Sequence, residues 1–151
     1  MKNKLVIIVL TIFACTSSDR KDKLLKENLS SVIKELEIMV DNDRKYRGKF
    51  SLSNDSIYEL QLDLDTKNTL KLIEITNQYG FPNVDRIGVP LPAWLIFHHS
   101  PYEFKDTVLH VINKEYESGR LPNNEYQLIK WHLSGRNGAP FGLDNVEVEQ
   151  Q

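Results

Sequence analysis

Apolar residues in the first half of the chain recur at alternating steps of four and three positions. They are Leu25, Leu29, Val32, Leu36 and Met39. An α-helix turns once every 3.6 residues, so this spacing aligns the five side chains in one stripe, whereas a strand would need alternation at every second residue. The pattern therefore predicts a long helix over residues 24–47 that packs this stripe against the rest of the protein.

A second helix is predicted from Asp65 to Tyr79, after a polar and extended stretch over residues 51–64. The Asp65 side chain can accept hydrogen bonds from the free N–H groups of the first turn. The core face of this helix comprises Leu72, Ile75 and Tyr79. Residues Gly80-Phe81-Pro82 mark its end, because glycine adopts the left-handed conformation that often follows a helix and proline cannot continue one.

Three more helices are predicted in the C-terminal half. A short apolar helix covers 93–99 after Pro92, and the next begins at Ser100-Pro101 and closes at Gly119. The core face of that next helix comprises Phe104, Val108, Val111, Ile112 and Tyr116. The last helix spans 124–133 and precedes a glycine-rich loop over 134–145, a length that is typical of functional or disordered segments.

The expected fold is mainly α: a single-domain, irregular helical bundle of about five helices over residues 24–145. A chain of this length can bury a hydrophobic core. The predicted core residues are Leu29, Val32, Leu36, Leu72, Ile75, Leu95, Val108, Ile112 and Ile129.

The first fifteen residues have the pattern of a bacterial lipoprotein signal peptide. Lys2 and Lys4 precede an apolar run over 5–14 that is too short to span a bilayer, which needs ~20 residues. The run ends in Ile12-Phe13-Ala14-Cys15, an aliphatic, a variable and a small residue before the only cysteine. We therefore expect cleavage after residue 14, a lipid on Cys15, a polar tether over 15–23 and a flexible tail over 146–151. The alternative is an uncleaved membrane anchor.

Lipidation also accounts for the use of cysteine. An exported protein meets an oxidising compartment, where a single reactive thiol is a liability. Acylation of Cys15 would remove that thiol. Because each buried methylene of an acyl chain contributes ~0.8 kcal/mol, the lipid would hold the domain at the cell membrane or the outer membrane.

The charge of the chain disfavours nucleic acid as a partner. The full sequence contains 19 basic and 21 acidic residues, and loss of the signal peptide with Lys2 and Lys4 makes the balance more acidic. Nucleic-acid binding requires clustered basic residues. The expected partners are the membrane, through the lipid on Cys15, and a protein or small molecule.

A charged pair interrupts the apolar stripe of the first helix. Asp43 falls on the stripe, and Arg47 follows one turn later on the same face. Such a pair is either a solvated salt bridge, worth ~0.3–0.5 kcal/mol, or a partly buried pair that lines a site.

Asn68 is a poor helix former that can bond to a neighbouring backbone instead. The candidate binding residues are Asp43, Arg47, Asn68, His99 and Arg136, and His132 belongs to the same polar set.

The histidines offer a candidate catalytic base but no metal site. His99 is either a core histidine held by one hydrogen bond or a general base, with Arg47 and Arg136 as further catalytic candidates. Because His98 and His99 are adjacent, they point to different faces of a helix and do not easily chelate one metal. The glycine-rich loop follows a helix, whereas phosphate-binding loops normally follow a strand. We expect neither a metal nor a cofactor.

Several motifs resemble a family of bacterial proteins, many of them exported or lipid-anchored, that is known only as a domain of unknown function. Residues 43–47, Asp-Arg-Lys-Tyr-Arg, are similar to the family pattern Asp-Gln-x-x-Arg. The other matching residues are Asp65, Asn68, Leu72, Ile75, Tyr79-Gly80-Phe81-Pro82, Gly88, the apolar run into His99, Gly119-Arg120-Leu121 and Phe141-Gly142. The resemblance covers residues 36–145 and implies a helical fold at the cell envelope.

The chain departs from this family at two places. The family usually has Gln before its histidine and an acid shortly after, where this chain has His98 and Ser100-Pro101. The family also tends to carry an Asp-Arg pair in its last helix, where this chain reads Lys130-Trp131-His132. If the family uses a catalytic acid there, this chain lacks it.

Three functional classes fit the sequence. The expected one is a lipid-anchored cell-envelope protein that acts as a binding or interaction module. The first alternative is a small envelope hydrolase that uses His99 with Arg47 or Arg136, although the chain has no GxSxG nucleophile motif. The second alternative is an envelope immunity protein that neutralises a toxin.

Overall fold

Helices form all of the regular secondary structure in residues 18–47 and 55–137, which are the residues that the computed structural model describes. The predicted mainly α, single-domain fold is confirmed. Within these residues no helix is both long enough and apolar enough to cross a membrane. In chain order the helices are α1 over 18–27, α2 (Leu29–Arg44), α3 (Asp55–Tyr79), α4 (Val84–Ile87), α5 (Trp94–His98), a 3-10 helix (Tyr102–Phe104), α6 (Lys105–Glu117) and α7 (Asn123–Leu133).

The predicted signal peptide over 1–14, the lipid acceptor Cys15 and the predicted tail over 146–151 lie outside the described residues. The predicted glycine-rich loop is described only over 134–137. The expectations for these segments therefore stay predictions.

The apolar stripe of α2 lies in the hydrophobic core, as predicted. Val32, Leu36 and Met39 are buried, and Leu29 packs against the core from its edge. Helix α2 contacts α3 and α5, and α7 contacts α5 and α6. Complete burial of a leucine such as Leu36 stabilises the fold by ~1.5–3 kcal/mol. Of the other predicted core residues, Leu95 is partly buried, and the fully buried ones are Leu72, Ile75, Val108, Ile112 and Ile129.

The prediction of a polar tether over 15–23 is wrong for residues 18–23, which belong to α1. Lys21 Nζ donates to Glu115 Oε1 at 2.9 Å and to the carbonyl oxygen of Thr76 at 3.1 Å. Arg86 Nη2 donates to Asp22 Oδ1 at 2.5 Å. Lys21 and Asp22 therefore bind polar groups of the domain, whereas Asp19, Arg20 and Lys23 are exposed.

The predicted long helix over 24–47 is two helices that meet at Asn28. The Asn28 Nδ2 donates to the carbonyl oxygen of Leu24 at 2.9 Å, and the Asn28 backbone N–H donates to the same oxygen at 3.2 Å. Asparagine side chains compete in this way with the regular helical pattern. The apolar stripe still continues across the break, since Leu25 of α1 is buried.

Helix α3 begins at Asp55, so the extended stretch predicted over 51–64 is helical in its described part, 55–64. Asp65 is an interior helical residue and does not cap the helix. The inward stripe of α3 has the same four-three spacing as that of α2, but its first half is polar. The stripe consists of Gln61, Asp65, Asn68, Leu72 and Ile75, all of them buried. Because the first half of this stripe is polar, apolar periodicity does not predict the helix over 55–64.

Glycines end α3 and α6 as predicted. Gly80 has φ +78°, and a Cβ atom at this position would approach the Arg120 side chain to 2.7 Å. Gly119 has φ +73° and is followed by Arg120, whose N–H donates to the carbonyl oxygen of Glu115 at 2.9 Å. This left-handed turn after α6 returns the chain toward its own last turn. Arg120 is thereby positioned beside Glu115.

A buried ion cluster, the Glu115 cluster, joins α1, α6 and the end of α3. Glu115 is 1% exposed, and its carboxylate accepts hydrogen bonds from Arg120 Nε and Nη2, from Lys21 Nζ and from the backbone N–H of Phe81. Burial alone would raise the pKa of Glu115, but these hydrogen bonds outweigh it and hold the pKa below its ordinary value. The carboxylate is therefore charged and fully partnered.

Two side chains of the α5–α6 region differ from expectation. Ser100 does not cap the next helix; its Oγ donates to the carbonyl oxygen of Phe97 at 2.9 Å. Tyr116, which was predicted to lie in the core, is 39% exposed and stacks on Tyr126 with the ring centroids 4.1 Å apart. The core face of α6 is therefore narrower than its sequence indicated.

Candidate functional site

An open cleft of about 530 Å³ lies where α3, α7 and the turn between α5 and the 3-10 helix approach one another. Its wall combines charged, aromatic and apolar side chains. The lining residues are Arg47, Tyr58, Gln61, Leu62, Asp65, His99, Ser100, Pro101, Tyr102, Glu103, His132 and Arg136. Clefts of ~300–1,000 Å³ with a few polar groups among apolar ones are typical of small-molecule sites.

Asp43 lies directly beneath the cleft because it continues the inward stripe of α2. It is 3% exposed. Its Oδ1 accepts hydrogen bonds from His99 Nδ1 at 2.8 Å and from Arg47 Nη2 at 2.9 Å. Burial alone would raise the pKa of Asp43, but the hydrogen bonds from His99 and Arg47 prevail and lower it. Asp43 is therefore an ionised, buried carboxylate.

The charge of Asp43 fixes the tautomer of His99. A carboxylate has no proton to donate, so the His99 Nδ1 carries the hydrogen of their hydrogen bond. The other ring nitrogen, Nε2, has no hydrogen-bond partner within the described residues. His99 lines the cleft with 22% of its side chain exposed. In neutral His99 the Nε2 is therefore a proton acceptor, the arrangement that a carboxylate gives to a general base.

Arg47 connects two carboxylates from different helices. Its Nη2 donates to Asp65 Oδ1 at 2.6 Å as well as to Asp43. Gln61 Nε2 donates to the same Asp65 oxygen at 2.8 Å, and Gln61 Oε1 accepts from the Tyr46 backbone N–H at 3.0 Å. Gln61 thus ties the end of α2 to α3. We call Asp43, Arg47, Gln61, Asp65 and His99 the floor cluster.

The two aspartates of the floor cluster have opposite pKa shifts. Burial raises the pKa of Asp65 above its ordinary value even though Gln61 and Arg47 donate hydrogen bonds to it. The pKa of Asp43, by contrast, is lowered. Carboxyl groups whose environments separate their pKa values in this way are frequent at functional sites, although structural ion clusters also show it.

Arg136 lies at the rim of the cleft in a strained backbone conformation. Gly135, with φ +84°, ends α7, and the Arg136 N–H donates to the carbonyl oxygen of Trp131 at 2.9 Å. These bonds form the turn that often terminates a helix. Arg136 itself has φ +61°, a conformation that costs of order 1 kcal/mol or more in a residue other than glycine.

The Arg136 side chain is held by its neighbours on α7. Its Nε donates to His132 Nδ1 at 3.2 Å, and its guanidinium carbon lies 5.8 Å from the centroid of a Trp131 ring. Burial, together with the positive charges of nearby groups that include Arg136, lowers the pKa of His132 to about 4. His132 is therefore neutral at pH 7 and can accept the hydrogen bond.

The structure brings together some of the predicted site residues and not others. Arg47 and His99 line the cleft, Asp43 supports both from below, and Arg136 lies at the rim. Asn68 does not line the cleft; it is buried, and its Nδ2 donates to the Met39 carbonyl oxygen at 2.9 Å, which ties α3 to α2. Asn68 is therefore a structural residue.

Gln61 and Asp65 line the cleft but were not predicted as site residues. The signal that would have found them is the four-three spacing of Gln61, Asp65 and Asn68 ahead of Leu72 and Ile75, which continues the inward stripe of α3. Tyr58 and Tyr102 were also missed, because an exposed tyrosine carries no periodic signal.

The donor atoms of the described residues do not form a metal-ligand set. Within 18–47 and 55–137, no three or more His, Cys, Asp or Glu side chains are arranged so that they could hold a metal ion. Ser100 lines the cleft, but its Oγ donates to a backbone carbonyl. The charged groups that line the cleft are therefore those of the floor cluster, Glu103 and Arg136.

Comparisons of the chain with protein-family models, curated proteins and solved structures find no match. The resemblance to the exported bacterial family therefore stays a prediction. The geometry of the cleft is the basis on which a function can be inferred.

Proposed function

We propose that this protein is a lipid-anchored protein of the bacterial cell envelope whose helical domain binds a small polar ligand in the cleft. The observation that carries the proposal is the convergence of Asp43, Arg47, Asp65 and His99 at the floor of an open cleft. These residues come from α2, the segment after it, α3 and the end of α5. Hydrogen bonds fix all four, so the cleft is organised before a ligand arrives.

The rim of the cleft supports the same proposal. Tyr58 and Tyr102 are 60% and 76% exposed, and Leu62 is 39% exposed. Large apolar and aromatic side chains around a polar floor are common in binding sites, where they exclude water and fix the orientation of the ligand. The ligand is expected to present a polar end to the floor and a less polar face to the rim.

The hydrogen bond between Asp43 and His99 favours a second candidate function, a hydrolase in which His99 is the general base. Water would be the nucleophile, because the Ser100 hydroxyl is engaged with the Phe97 carbonyl group. Arg136 would stabilise the developing negative charge. This activity would use the same cleft and would require the same ligand binding.

Lipidation is tested by metabolic labelling with a fatty-acid analogue. The wild-type chain is expected to incorporate the label and to fractionate with membranes, whereas Cys15→Ala is expected to do neither, because acylation requires the thiol. Circular dichroism spectra of the two proteins should agree, which controls for folding of the helical domain. Equal labelling of both would contradict the proposed anchor.

Binding is tested by screening a library of small polar fragments with ligand-observed NMR. Fragments that bind the wild-type protein are expected to lose binding to His99→Gln, because this variant removes a cleft side chain. The matched control is His110→Gln, which replaces an exposed histidine on α6 that is not among the cleft residues. Hits that persist unchanged in His99→Gln, or a complete lack of hits, would overturn the proposed binding site.

A further inference from the structure

Arg136 offers the cleft a guanidinium group whose outer nitrogens are not paired with any acid in residues 18–47 and 55–137. Its Nε is occupied by the neutral His132, and no carboxylate of the described residues forms a salt bridge with it. Arg47, the other arginine of the cleft, is already bound to Asp43 and Asp65. A negative group that enters the cleft would therefore meet Arg136 as its open cationic partner.

We infer that Arg136 binds a carboxylate of the ligand while His99 Nε2 accepts a hydrogen bond from an adjacent N–H or O–H group, so that the cleft selects small monocarboxylates such as amino acids, hydroxy acids or short peptides. This inference rests on the proposed function and names the class of ligand. The planar fork of an arginine matches the two oxygens of a carboxylate.

The charges around the cleft favour one negative charge over two. Arg47 and Arg136 line it together with Asp65 and Glu103, and the ionised Asp43 lies behind the floor. A dianion such as a phosphate monoester would be attracted by Arg136 but would also be repelled by Asp65 and Glu103. A single carboxylate satisfies Arg136 at a smaller repulsive cost.

The fixed tautomer of His99 determines the second contact. Because Nδ1 donates to Asp43, neutral His99 presents Nε2 as an acceptor, which a ligand group without hydrogen cannot satisfy. A ligand that carries an amide, amine or hydroxyl hydrogen close to its carboxylate can bond to both residues. This requirement excludes simple fatty acids as preferred ligands.

The inference is tested by affinity labelling of the full chain with iodoacetate and, in parallel, with the uncharged iodoacetamide. The His99 Nε2 lone pair attacks the methylene carbon, a nitrogen–carbon bond forms, the carbon–iodine bond breaks and iodide leaves. The imidazolium that results keeps its Nδ1 hydrogen bond to Asp43. Peptide mapping by mass spectrometry gives the rate at each histidine, and Cys15 is quantified in its own peptide.

The reference site is His110, which is exposed and is not among the cleft residues. The rate at His99 divided by the rate at His110 is expected to be roughly fivefold higher with iodoacetate than with iodoacetamide. The reason is that Arg136 holds the carboxylate of the reagent beside Nε2. Arg136→Gln is expected to abolish this preference. Arg136 is exposed, so its replacement should leave the helical circular dichroism unchanged.

Equal rates with the two reagents, or a preference that survives in Arg136→Gln, would overturn the inference. The fragment screen distinguishes this failure from that of the proposed function. Uncharged fragments that bind in a His99-dependent manner would preserve the binding site while contradicting the carboxylate class. Carboxylate fragments that compete with iodoacetate labelling of His99 would support both.

Discussion

Glu115→Ala is expected to lower the free energy of unfolding by about 3–5 kcal/mol, because it leaves two buried or partly buried cations without their carboxylate. Glu115 is 1% exposed, and its partners Lys21 and Arg120 come from α1 and from the turn after α6. Urea unfolding at pH 7 measures the change. Glu117→Ala, an exposed position on the same helix, is the matched control and should be nearly neutral.

The contribution of Glu115 should also depend on pH. Its pKa in the folded protein is lowered from an ordinary value of 4.5. The unfolded chain therefore binds the proton more readily, and the contribution is fully present above pH 4.5 and is lost as pH falls through the lower folded pKa. The stability difference between wild type and Glu115→Ala should narrow in that acid range. A difference that is as large well below pH 4.5 as at pH 7 would contradict the ion-pair explanation.

The second large effect is expected in the floor cluster. Asp43→Asn and Arg47→Met should each destabilise the protein by ~2–4 kcal/mol, because each leaves a charged partner in a partly buried position. The double variant should lose at least ~1 kcal/mol less than the sum of the two single variants, since it removes the charges together. Thermal or urea unfolding of all four proteins gives this coupling energy.

An exposed pair on α3 provides the control for this cycle. Lys67 Nζ lies 2.6 Å from Asp63 Oδ2, and more than half of each side chain is exposed. Asp63→Asn should therefore change the free energy of unfolding by less than ~1 kcal/mol. If Asp43→Asn and Arg47→Met also unfold like the wild type, the floor cluster does not stabilise the fold. In that case its hydrogen bonds would only position the side chains for ligand binding.

Apolar periodicity predicted the parts of the fold whose inward faces are hydrophobic. The stripe of α2 and the ends of α3 and α6 at Gly80 and Gly119 follow directly from residue spacing and from glycine conformation. The same spacing predicted that Asp43 shares the inward face with Met39. A charged residue on an apolar stripe is thus a sequence signal that indicates either a buried ion pair that stabilises the fold or a binding site.

Periodicity failed where the inward face is polar. The first half of α3 points Gln61 and Asp65 inward and exposes Tyr58 and Leu62, so its apolar residues indicate the wrong face. Asn68 bonds to a neighbouring backbone, which was one of its two expected roles, but the particular partner, the Met39 carbonyl of α2, could not be predicted. Contacts between distant segments of a chain leave no trace in local spacing.

The early start of α1 limits how far the domain could stand from a membrane. Only Thr16 and Ser17 separate Cys15 from residue 18, where the described helix is already present. Three peptide steps span at most about 11 Å. A lipid on Cys15 would therefore keep the domain at the height of the lipid headgroups, because α1 is fastened to α6 through Lys21 and Glu115. The cleft would then sample ligands at the membrane surface instead of reaching across the envelope.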